Sequence, residues 1–246
     1  MNIKTTIVEH QQGSEAWLQH RASSFNASEL AAAMGVSPYM TRTELIAQKA
    51  TGLVPEVDAA KQRIFDNGHR YEAIARPWAE DIIGEELFPV VLAAEVDGMR
   101  LSASLDGQTM AGDITWEHKS LNENLRQSLD AGVIPSEYHP QMEQGLMLSG
   151  ASRCLFMASN GDRDTMRFAW YESQPALRAK IIPIWKQVQA DAAACVPSVV
   201  EAAKPTGKAP DTLPALRIEV TGMVTASNLA GSRKPPWRLS VASTAS

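Results

Sequence analysis

The chain has 246 residues, of which 44% are hydrophobic and 21% are charged, enough for one sizeable globular domain with a packed core. Its net charge of −5 at pH 7 excludes an overall basic surface for nucleic acid, so any such contact needs a local basic patch or a favourable fold geometry. No apolar run is long enough to span a bilayer, and the first residues lack the apolar segment of a signal peptide. We therefore expect a cytoplasmic protein with no membrane partner.

Four helices are predicted in the first third of the chain, because capping residues mark where they begin and glycines mark where they end. Ser14 caps the first helix, and Thr41 and Glu44 form a capping box at the third. The predicted helices cover residues 17–21, 28–34, 44–51 and about 57–83, with end signals at Gly35, Gly52 and Gly84. The last of these helices contains Pro77, which is expected to bend it.

The rest of the chain mixes predicted strands and helices. In chain order these elements are the strands ELFPVVL, MRLSAS and ITWEHK, helices near residues 122–130 and 138–148, the strands RCLFMASN and TMRFAWY, and a helix over residues 174–196. A turn that contains Gly107 and Gly112 is expected to join the second strand to the third. This order predicts a mixed α/β domain over residues 1–203. Residues 204–246 begin with a segment rich in Pro, Gly and Lys, and are expected to form a linker and a loosely held C-terminal tail.

Three carboxylates and one lysine are the candidates for chemistry. Side chains two positions apart on a strand point the same way, so Thr115, Glu117 and Lys119 share one face of ITWEHK. Asp106, at the end of the preceding strand, can lie beside that face, and Glu72 stands on the long helix upstream. Two acidic ligands and an ammonium that meet at one point suit a site that holds Mg²⁺ and activates a water against a phosphodiester. The alternative is a solvated strand face, with the Asp-Gly pair as ordinary turn chemistry.

Three further polar residues could bind an anion. Arg21, with Ser28 near a helix N-terminus, would form a pocket for a phosphate or carboxylate group. Gln141, in the first turn of a helix, could hydrogen-bond a water or a phosphate oxygen. Taken alone, each has an ordinary interpretation: Arg21 as a surface residue, Ser28 as a helix cap and Gln141 as a surface amide.

Six short motifs, taken in order, resemble those of a known family. They are W-x-x-x-R followed by ASE (Trp17, Arg21, Ala27, Ser28, Glu29), TGLVPEV, G-x-x-Y-E (Gly68, Tyr71, Glu72), S-x-DG (Ser104, Asp106, Gly107), E-x-K (Glu117, Lys119) and Y-x-x-Q (Tyr138, Gln141). Over residues 13–185 the chain is similar to the YqaJ-like phage recombination exonucleases, which belong to the PD-(D/E)XK nuclease superfamily. The resemblance implies a restriction-endonuclease-like core, in which helices flank a mixed central sheet.

The resemblance also implies roles for the candidate catalytic residues. Asp106 and Glu117 would bind metal directly, with the carbonyl of His118 as a further ligand. Glu72 would act through a water ligand of the metal. Lys119 would orient or deprotonate the attacking water and counter the charge of the transition state. The family implies Mg²⁺ as the cofactor, with Mn²⁺ as the alternative.

Other matching residues would support the site or contact DNA. Gln141 would support the catalytic residues, and Arg21 and Ser28 match the pocket that holds a 5′-phosphate. The remaining DNA-binding candidates are Trp17, Arg63 and Phe65, of which the last two match positions that split the terminal base pair or touch DNA. The chain departs from the family pattern at Leu105, where the superfamily has its proline, at Asn26, where threonine is common, and at His118, where an apolar residue is usual.

The function implied by the resemblance is a Mg²⁺-dependent 5′→3′ exonuclease of the two-metal type. It would digest linear double-stranded DNA to 3′ single strands for phage-type recombination by single-strand annealing. The family implies a ring-shaped homotrimer, a single-strand annealing recombinase as partner, and a phage or prophage origin in a bacterial host. Two alternatives stay open at this point: an endonuclease of the same superfamily, and a non-catalytic protein that binds DNA ends.

Overall fold

The computed structural model describes residues 3–10, 14–53 and 58–195, with the side chain of Lys61 excepted. Its elements are β1 (Thr6–Ile7), α1 (Glu15–Ala22), β2 (Phe25–Asn26), a 3₁₀ turn (Ala27–Glu29), α2 (Leu30–Ala33), α3 (Arg42–Thr51), α4 (Ala59–Ile83), β3 (Leu87–Val96), β4 (Met99–Thr109), β5 (Ile114–Ser120), α5 (Glu123–Asp130), α6 (His139–Ser149), β6 (Arg153–Ser159), β7 (Arg167–Glu172) and α7 (Pro175–Ala194). The predicted linker and tail, residues 204–246, lie outside the described residues, so the domain boundary at residue 203 stays a prediction.

Local capping explains where several helices begin. The Ser14 hydroxyl accepts a hydrogen bond from the Trp17 amide at 3.2 Å, as predicted for α1. At α3, the Thr41 amide donates to the Glu44 carboxylate at 2.7 Å, and the Glu44 amide donates to the Thr41 hydroxyl at 3.2 Å. Gly52 then ends α3 in the left-handed conformation at φ 70°, which confirms the predicted capping box and stop.

The predicted helix over residues 28–34 is wrong at its start. The helical turns begin at Ala27, and Asn26 is the N-cap residue of a short 3₁₀ turn that leads into α2. The Asn26 amide donates to the Glu29 carboxylate at 3.3 Å, which satisfies a backbone donor ahead of the turn. Ser28 therefore lies inside the first turn, with its side chain exposed, and does not cap the helix.

The described strands form one mixed sheet of seven strands. Its order is β1-β3-β4-β5-β6-β7, with β2 paired to β4 off this path. The pairs β5–β6 and β2–β4 are parallel, and the other pairs are antiparallel. Helices cover both faces, as the alternation along β6 shows: Leu155 and Met157 pack with Ala75 of α4, whereas Phe156 and Ala158 belong to the cluster built with α5 and α6. This arrangement confirms the predicted fold class.

A β-bulge interrupts the β3–β4 pair close to the candidate site. Phe88 pairs with Gln108 and Val90 pairs with Leu105, so Asp106 and Gly107 together stand opposite the single residue between Phe88 and Val90. A bulge of this kind breaks the alternation of side chains and re-aims the extra residue. The sequence signals that remain are an Asp-Gly pair in one strand and a proline in its neighbour.

The predicted turn at Gly107 is wrong, because β4 continues to Thr109. Gly107 pairs with Trp116 across the sheet, and a Cβ at Gly107 would lie 3.0 Å from the Leu87 Cβ and 3.2 Å from the Trp116 ring. Close approach, not turn geometry, therefore requires glycine there. The turn that joins β4 to β5 contains Gly112 at φ 77°. As a result, Asp106 lies within β4 and not at its end.

Candidate active site

The candidate site lies where β4 and β5 separate. The two strands pair at Gly107–Trp116 and at Gln108–Thr115. Beyond the Gly107–Trp116 pair, the Asp106 carboxylate of β4 accepts a hydrogen bond from the His118 backbone amide of β5 at 2.8 Å. The side chain of the bulged residue thus serves as the acceptor where a strand carbonyl would stand in a regular ladder. This contact fixes one candidate carboxylate against the strand that carries the others.

Glu117, Lys119 and Gln141 form one hydrogen-bonded cluster. The Gln141 amide nitrogen donates to Glu117 Oε1 at 2.6 Å, and the Lys119 ammonium donates to the same oxygen. Lys119 also donates to Gln141 Oε1 at 3.3 Å. Glu117 is only 4% exposed, so the alternative of a solvated strand face does not hold for this carboxylate. Gln141 belongs to α6, which brings this side chain to the cluster from a different part of the chain.

Glu72 approaches the same cluster from α4. Its carboxylate accepts a hydrogen bond from the Arg76 guanidinium, one helical turn later, at 3.2 Å. Burial raises the pKa of Glu72, the charge of Arg76 opposes that effect, and the charge of Glu117 adds to it. The structure therefore places Glu72 within electrostatic reach of the β5 carboxylate.

The site holds more negative than positive charge in a buried setting. Burial raises the pKa of Asp106 to about 6, and the Glu72 carboxylate adds to the increase. Burial likewise raises the pKa of Glu117 to about 7, with Asp106 as a further cause. Burial lowers the pKa of Lys119, but the charges of Glu117 and Asp106, with a smaller contribution from the Tyr39 hydroxyl, raise it above its ordinary value. Ionised Asp106 and Glu117 are costly here unless a cation compensates them.

The donor set fits a hard divalent cation. Mg²⁺ is usually bound by one or two carboxylates, and the remaining ligands are waters and substrate phosphates. Asp106 and Glu117 supply two carboxylates at the strand fork. Within residues 3–10, 14–53 and 58–195, no three His, Cys, Asp or Glu side chains are grouped so that they could hold a metal ion. Oxygens of the backbone, an amide or the substrate would therefore complete the coordination.

The ring of His118 lies apart from the carboxylates. Its Nε2 is 2.9 Å from the Ser159 hydroxyl. The centroid of the His118 ring is 5.8 Å from that of Trp116, which shares its face of β5. Burial lowers the pKa of His118 to about 4, and the Lys119 charge contributes, so the ring is neutral at pH 7. The predicted metal contact of His118 involves its carbonyl oxygen and stays a prediction.

The three N-terminal candidates are brought together. Arg21 Nη2 donates to the Ser28 hydroxyl at 3.2 Å, and the Arg21 guanidinium carbon lies 4.9 Å from the centroid of the Trp17 ring. Ala27, which precedes Ser28, lines one small cavity together with Glu117 and Gln141. The turn that carries Ser28 therefore packs beside Glu117 and Gln141 through Ala27.

Arg63 and Phe65 are placed differently. They lie on the first turns of α4, where the side chains described from Ala59 to Asn67 are exposed. Gly68 marks where α4 reaches the end of β5, because a Cβ at this glycine would lie 3.9 Å from the Ser120 hydroxyl. Both residues lie about two helical turns or more before Glu72, the member of the carboxylate cluster on α4. Their DNA contacts stay a prediction.

Two buried polar residues of α6 were missed by sequence reasoning. Glu143, which is 0% exposed, accepts hydrogen bonds from the Tyr171 hydroxyl at 2.8 Å and from Arg178 Nε at 2.6 Å. Gln144 donates to the carbonyls of Phe25 at 2.9 Å and Ser102 at 3.0 Å. Together they tie α6 to β2, β4, β7 and α7, and so fix the helix that carries Gln141. The available signal was a run of polar residues within an otherwise apolar helix.

Comparison with known proteins identifies the family. A model of the YqaJ-like viral recombinase domain matches residues 16–152, more than half of the chain, so this protein belongs to that family. The finding confirms the family predicted from the motifs. No curated protein sequence gives a significant match.

Two solved structures of an alkaline exonuclease share the fold. An alkaline exonuclease, LHK-Exo from Laribacter hongkongensis, is 25% identical with a TM-score of 0.60, and the match covers 74% of this chain and 93% of that one. The structure of LHK-Exo in complex with dAMP matches at 24% identity with the same TM-score and coverage. A phage-related exonuclease from Haemophilus somnus 129PT is 11% identical with a TM-score of 0.49, covering 69% of this chain and 93% of that one.

Proposed function

We propose that this protein is a recombination exonuclease that digests linear double-stranded DNA in the 5′→3′ direction and depends on Mg²⁺, with Mn²⁺ as an alternative metal. Family membership and the likeness to an alkaline exonuclease support nuclease activity in recombination. The observation that carries the proposal is the convergence of Asp106, Glu117 and Lys119 at the fork between β4 and β5. An acidic, buried centre with one ammonium suits hydrolysis of a phosphodiester.

Asp106 and Glu117 would hold the metal. The family implies a mechanism of the two-metal type. When bound, a divalent cation would act as a Lewis acid on the scissile phosphate and neutralise the carboxylates. Glu72 would complete the acidic side of the site, and Arg76 holds its carboxylate in place. The bond from the His118 amide fixes the Asp106 carboxylate, so little reorganisation is needed when the metal binds.

Lys119 would act on the attacking water and on the developing negative charge. Its ammonium has three donors, two of which are directed at Glu117 and Gln141. The third can point to a water or a phosphoryl oxygen. Gln141 holds Glu117 and Lys119 together, which makes it a positioning residue in this scheme.

The polarity of digestion would come from the pocket of Arg21, Ser28 and Trp17. A guanidinium can hold a phosphate through two parallel hydrogen bonds, and Ser28 could exchange its bond to Arg21 for one to the phosphate. Ala27, the residue before Ser28, lines a small cavity with Glu117, which supports a 5′-phosphate site near the carboxylates. An endonuclease has no terminal phosphate to bind, which favours the exonuclease.

The wider assembly is proposed from the family alone. A homotrimeric ring would keep the enzyme on DNA without a basic surface, in agreement with a net charge of −5. The 3′ single strands would pass to a single-strand annealing recombinase in the cytoplasm of a bacterial host, where the gene would be of phage or prophage origin. None of the described helices is long and apolar enough to cross a membrane.

Incubation of the protein with linear and covalently closed circular duplexes of the same sequence tests this proposal. With Mg²⁺, the linear form should be converted to single strands and mononucleotides, and the circle should survive. EDTA should stop digestion. Nicking or linearisation of the circle at a similar rate would support the endonuclease alternative, and an inert protein would support a non-catalytic role.

A further inference from the structure

The loop between α2 and α3 presents a large aromatic ring to solvent. Tyr39 is 77% exposed, in contrast to Tyr138 beside it, which is 9% exposed. An exposed tyrosine forgoes hydrophobic burial, and such a ring at the border of a binding site is suited to contact a ligand. Its surroundings indicate which ligand that would be.

The backbone around Tyr39 is held in place by hydrogen bonds. The Ser37 hydroxyl accepts from the amides of Tyr39 at 3.1 Å and Met40 at 3.3 Å. Upstream, the amides of Val36 and Ser37 donate to the Ala31 carbonyl at 2.9 Å and 3.2 Å. Downstream, the loop ends at the capping box of α3. The ring is therefore presented by a braced loop, which reduces the entropy lost when a ligand binds.

Tyr39 stands at the rim of the carboxylate cluster. Its hydroxyl is 3.5 Å from that of Tyr138, whose ring centroid lies 5.1 Å from that of Phe156. Phe156 is the neighbour of Glu117 in the β5–β6 ladder. Tyr138 also precedes α6, the helix that carries Gln141. The exposed ring thus borders the place where the scissile phosphodiester would lie.

We propose that Tyr39 is a stacking platform for the nucleobase next to the scissile phosphodiester, an inference that rests on the proposed exonuclease function. Every base presents a π-face, so stacking holds the end of a strand without reading its sequence. A nuclease that degrades any duplex needs contacts of this kind. With 77% of Tyr39 exposed, the ring is accessible to a base.

A duplex with 2-aminopurine as the 5′-terminal base tests the inference, because stacking on an aromatic ring quenches the fluorescence of this analogue. The full-length protein is mixed with this duplex in EDTA, so that binding is observed without cleavage. Wild type should quench at saturation, Tyr39→Phe should retain the quenching, and Tyr39→Leu should lose it. With Mg²⁺, Tyr39→Leu should raise KM at least about fivefold and change kcat much less.

Phe168→Leu is the matched control. Phe168 is 42% exposed on β7, two strands from β5, and its replacement should leave both quenching and KM unchanged. Tyr39→Leu protein that quenches fully and has a KM within about twofold of wild type would overturn the stacking proposal, provided that wild type digests the duplex. An inactive wild type would instead overturn the proposed function, on which this inference rests.

Discussion

The carboxylate of Asp106 accepts a hydrogen bond from the backbone amide of His118 at 2.8 Å, across the point where β4 and β5 part. A side chain of β4 thereby satisfies a donor of β5 that a regular antiparallel ladder would have paired with a carbonyl. The β-bulge at Asp106 makes this possible, because it turns the residue out of the alternation of its strand. The same contact fixes Asp106 on the strand that carries Glu117.

Replacement of Asp106 by asparagine should abolish cleavage and leave the fold and DNA binding intact. The amide oxygen can still accept from the His118 amide, but the negative charge that would hold the metal is gone. The metal-free variant should melt no lower than wild type, because a buried charge near Glu72 has been removed. Nuclease assays, gel shifts and thermal melts measure these effects.

Metal binding provides the control for Asp106→Asn. Mg²⁺ should raise the melting temperature of wild type, because a ligand of the native state stabilises it, and should raise that of the variant much less. A variant that cleaves DNA at the wild-type rate would show that Asp106 does not hold the catalytic metal.

Replacement of Lys119 by alanine should reduce the single-turnover rate at least about a hundredfold, the scale of one acid–base or charge-stabilising group. Metal affinity should be kept or increased, because Glu117 Oε1 then loses a competing cation. Single-turnover cleavage at saturating Mg²⁺ and calorimetric titration of Mg²⁺ measure the two effects. Lys186→Ala, which removes an exposed ion pair with Asp97, should change neither. Single-turnover cleavage by Lys119→Ala at the wild-type rate in saturating Mg²⁺ would contradict the assignment.

Replacement of Arg21 by alanine should lower the digestion rate and erase most of the preference for 5′-phosphorylated ends. Arg21→Lys should rescue only part of it, because an ammonium cannot form two parallel hydrogen bonds. Initial rates on 5′-phosphoryl and 5′-hydroxyl duplexes measure the preference. Arg163→Ala, at an exposed pair with Asp81, serves as the control and should keep the wild-type preference. The same preference in Arg21→Ala would place the phosphate pocket elsewhere.

Replacement of Gln144 by leucine should lower the free energy of unfolding by about 2 kcal/mol or more, because buried polar groups lose their partners. Two carbonyls, of Phe25 and Ser102, and the Trp185 indole N–H, which donates to Gln144 Oε1 at 2.7 Å, would be affected. Urea denaturation measures the loss. Gln127→Leu, on the exposed face of α5, should change stability by no more than about 0.5 kcal/mol. Equal losses of stability in Gln144→Leu and Gln127→Leu would refute the role of Gln144 in fixing α6 to its neighbours.

Local signals in the sequence were sufficient for most of the fold. The capping box at Thr41 and Glu44 and the stop at Gly52 depend on neighbouring residues, so they could be predicted. β1 and β2 could not, because strands of two residues show no alternation and exist only through pairing with β3 and β4. The error at Ser28 has a local cause: Asn26 and Ser28 are both good cap residues, and Glu29 stands three residues after Asn26, where it accepts a hydrogen bond from the Asn26 amide.

The geometry of the candidate site could be predicted in part from the sequence. The two-residue spacing of Glu117 and Lys119 placed both on one face of β5, which the cluster with Gln141 bears out geometrically. Gly107 suggested a turn, whereas its small size serves close packing against Leu87 and Trp116, and so the bulge at Asp106 was missed. The bonds of Gln144 join residues 119 and 42 positions apart in the chain, and no local pattern reveals them.

The most direct test of the central claim is digestion of a linear duplex that carries a different label at the 5′ and 3′ ends of one strand. With a 5′-phosphate and Mg²⁺, the 5′ label should be released first as a mononucleotide while the 3′ label stays in a long strand. A 5′-hydroxyl end should slow this release, and EDTA should prevent it. Early release of the 3′ label, or internal cleavage before either label is lost, would contradict a 5′→3′ exonuclease built on Asp106, Glu117, Lys119 and the Arg21 pocket.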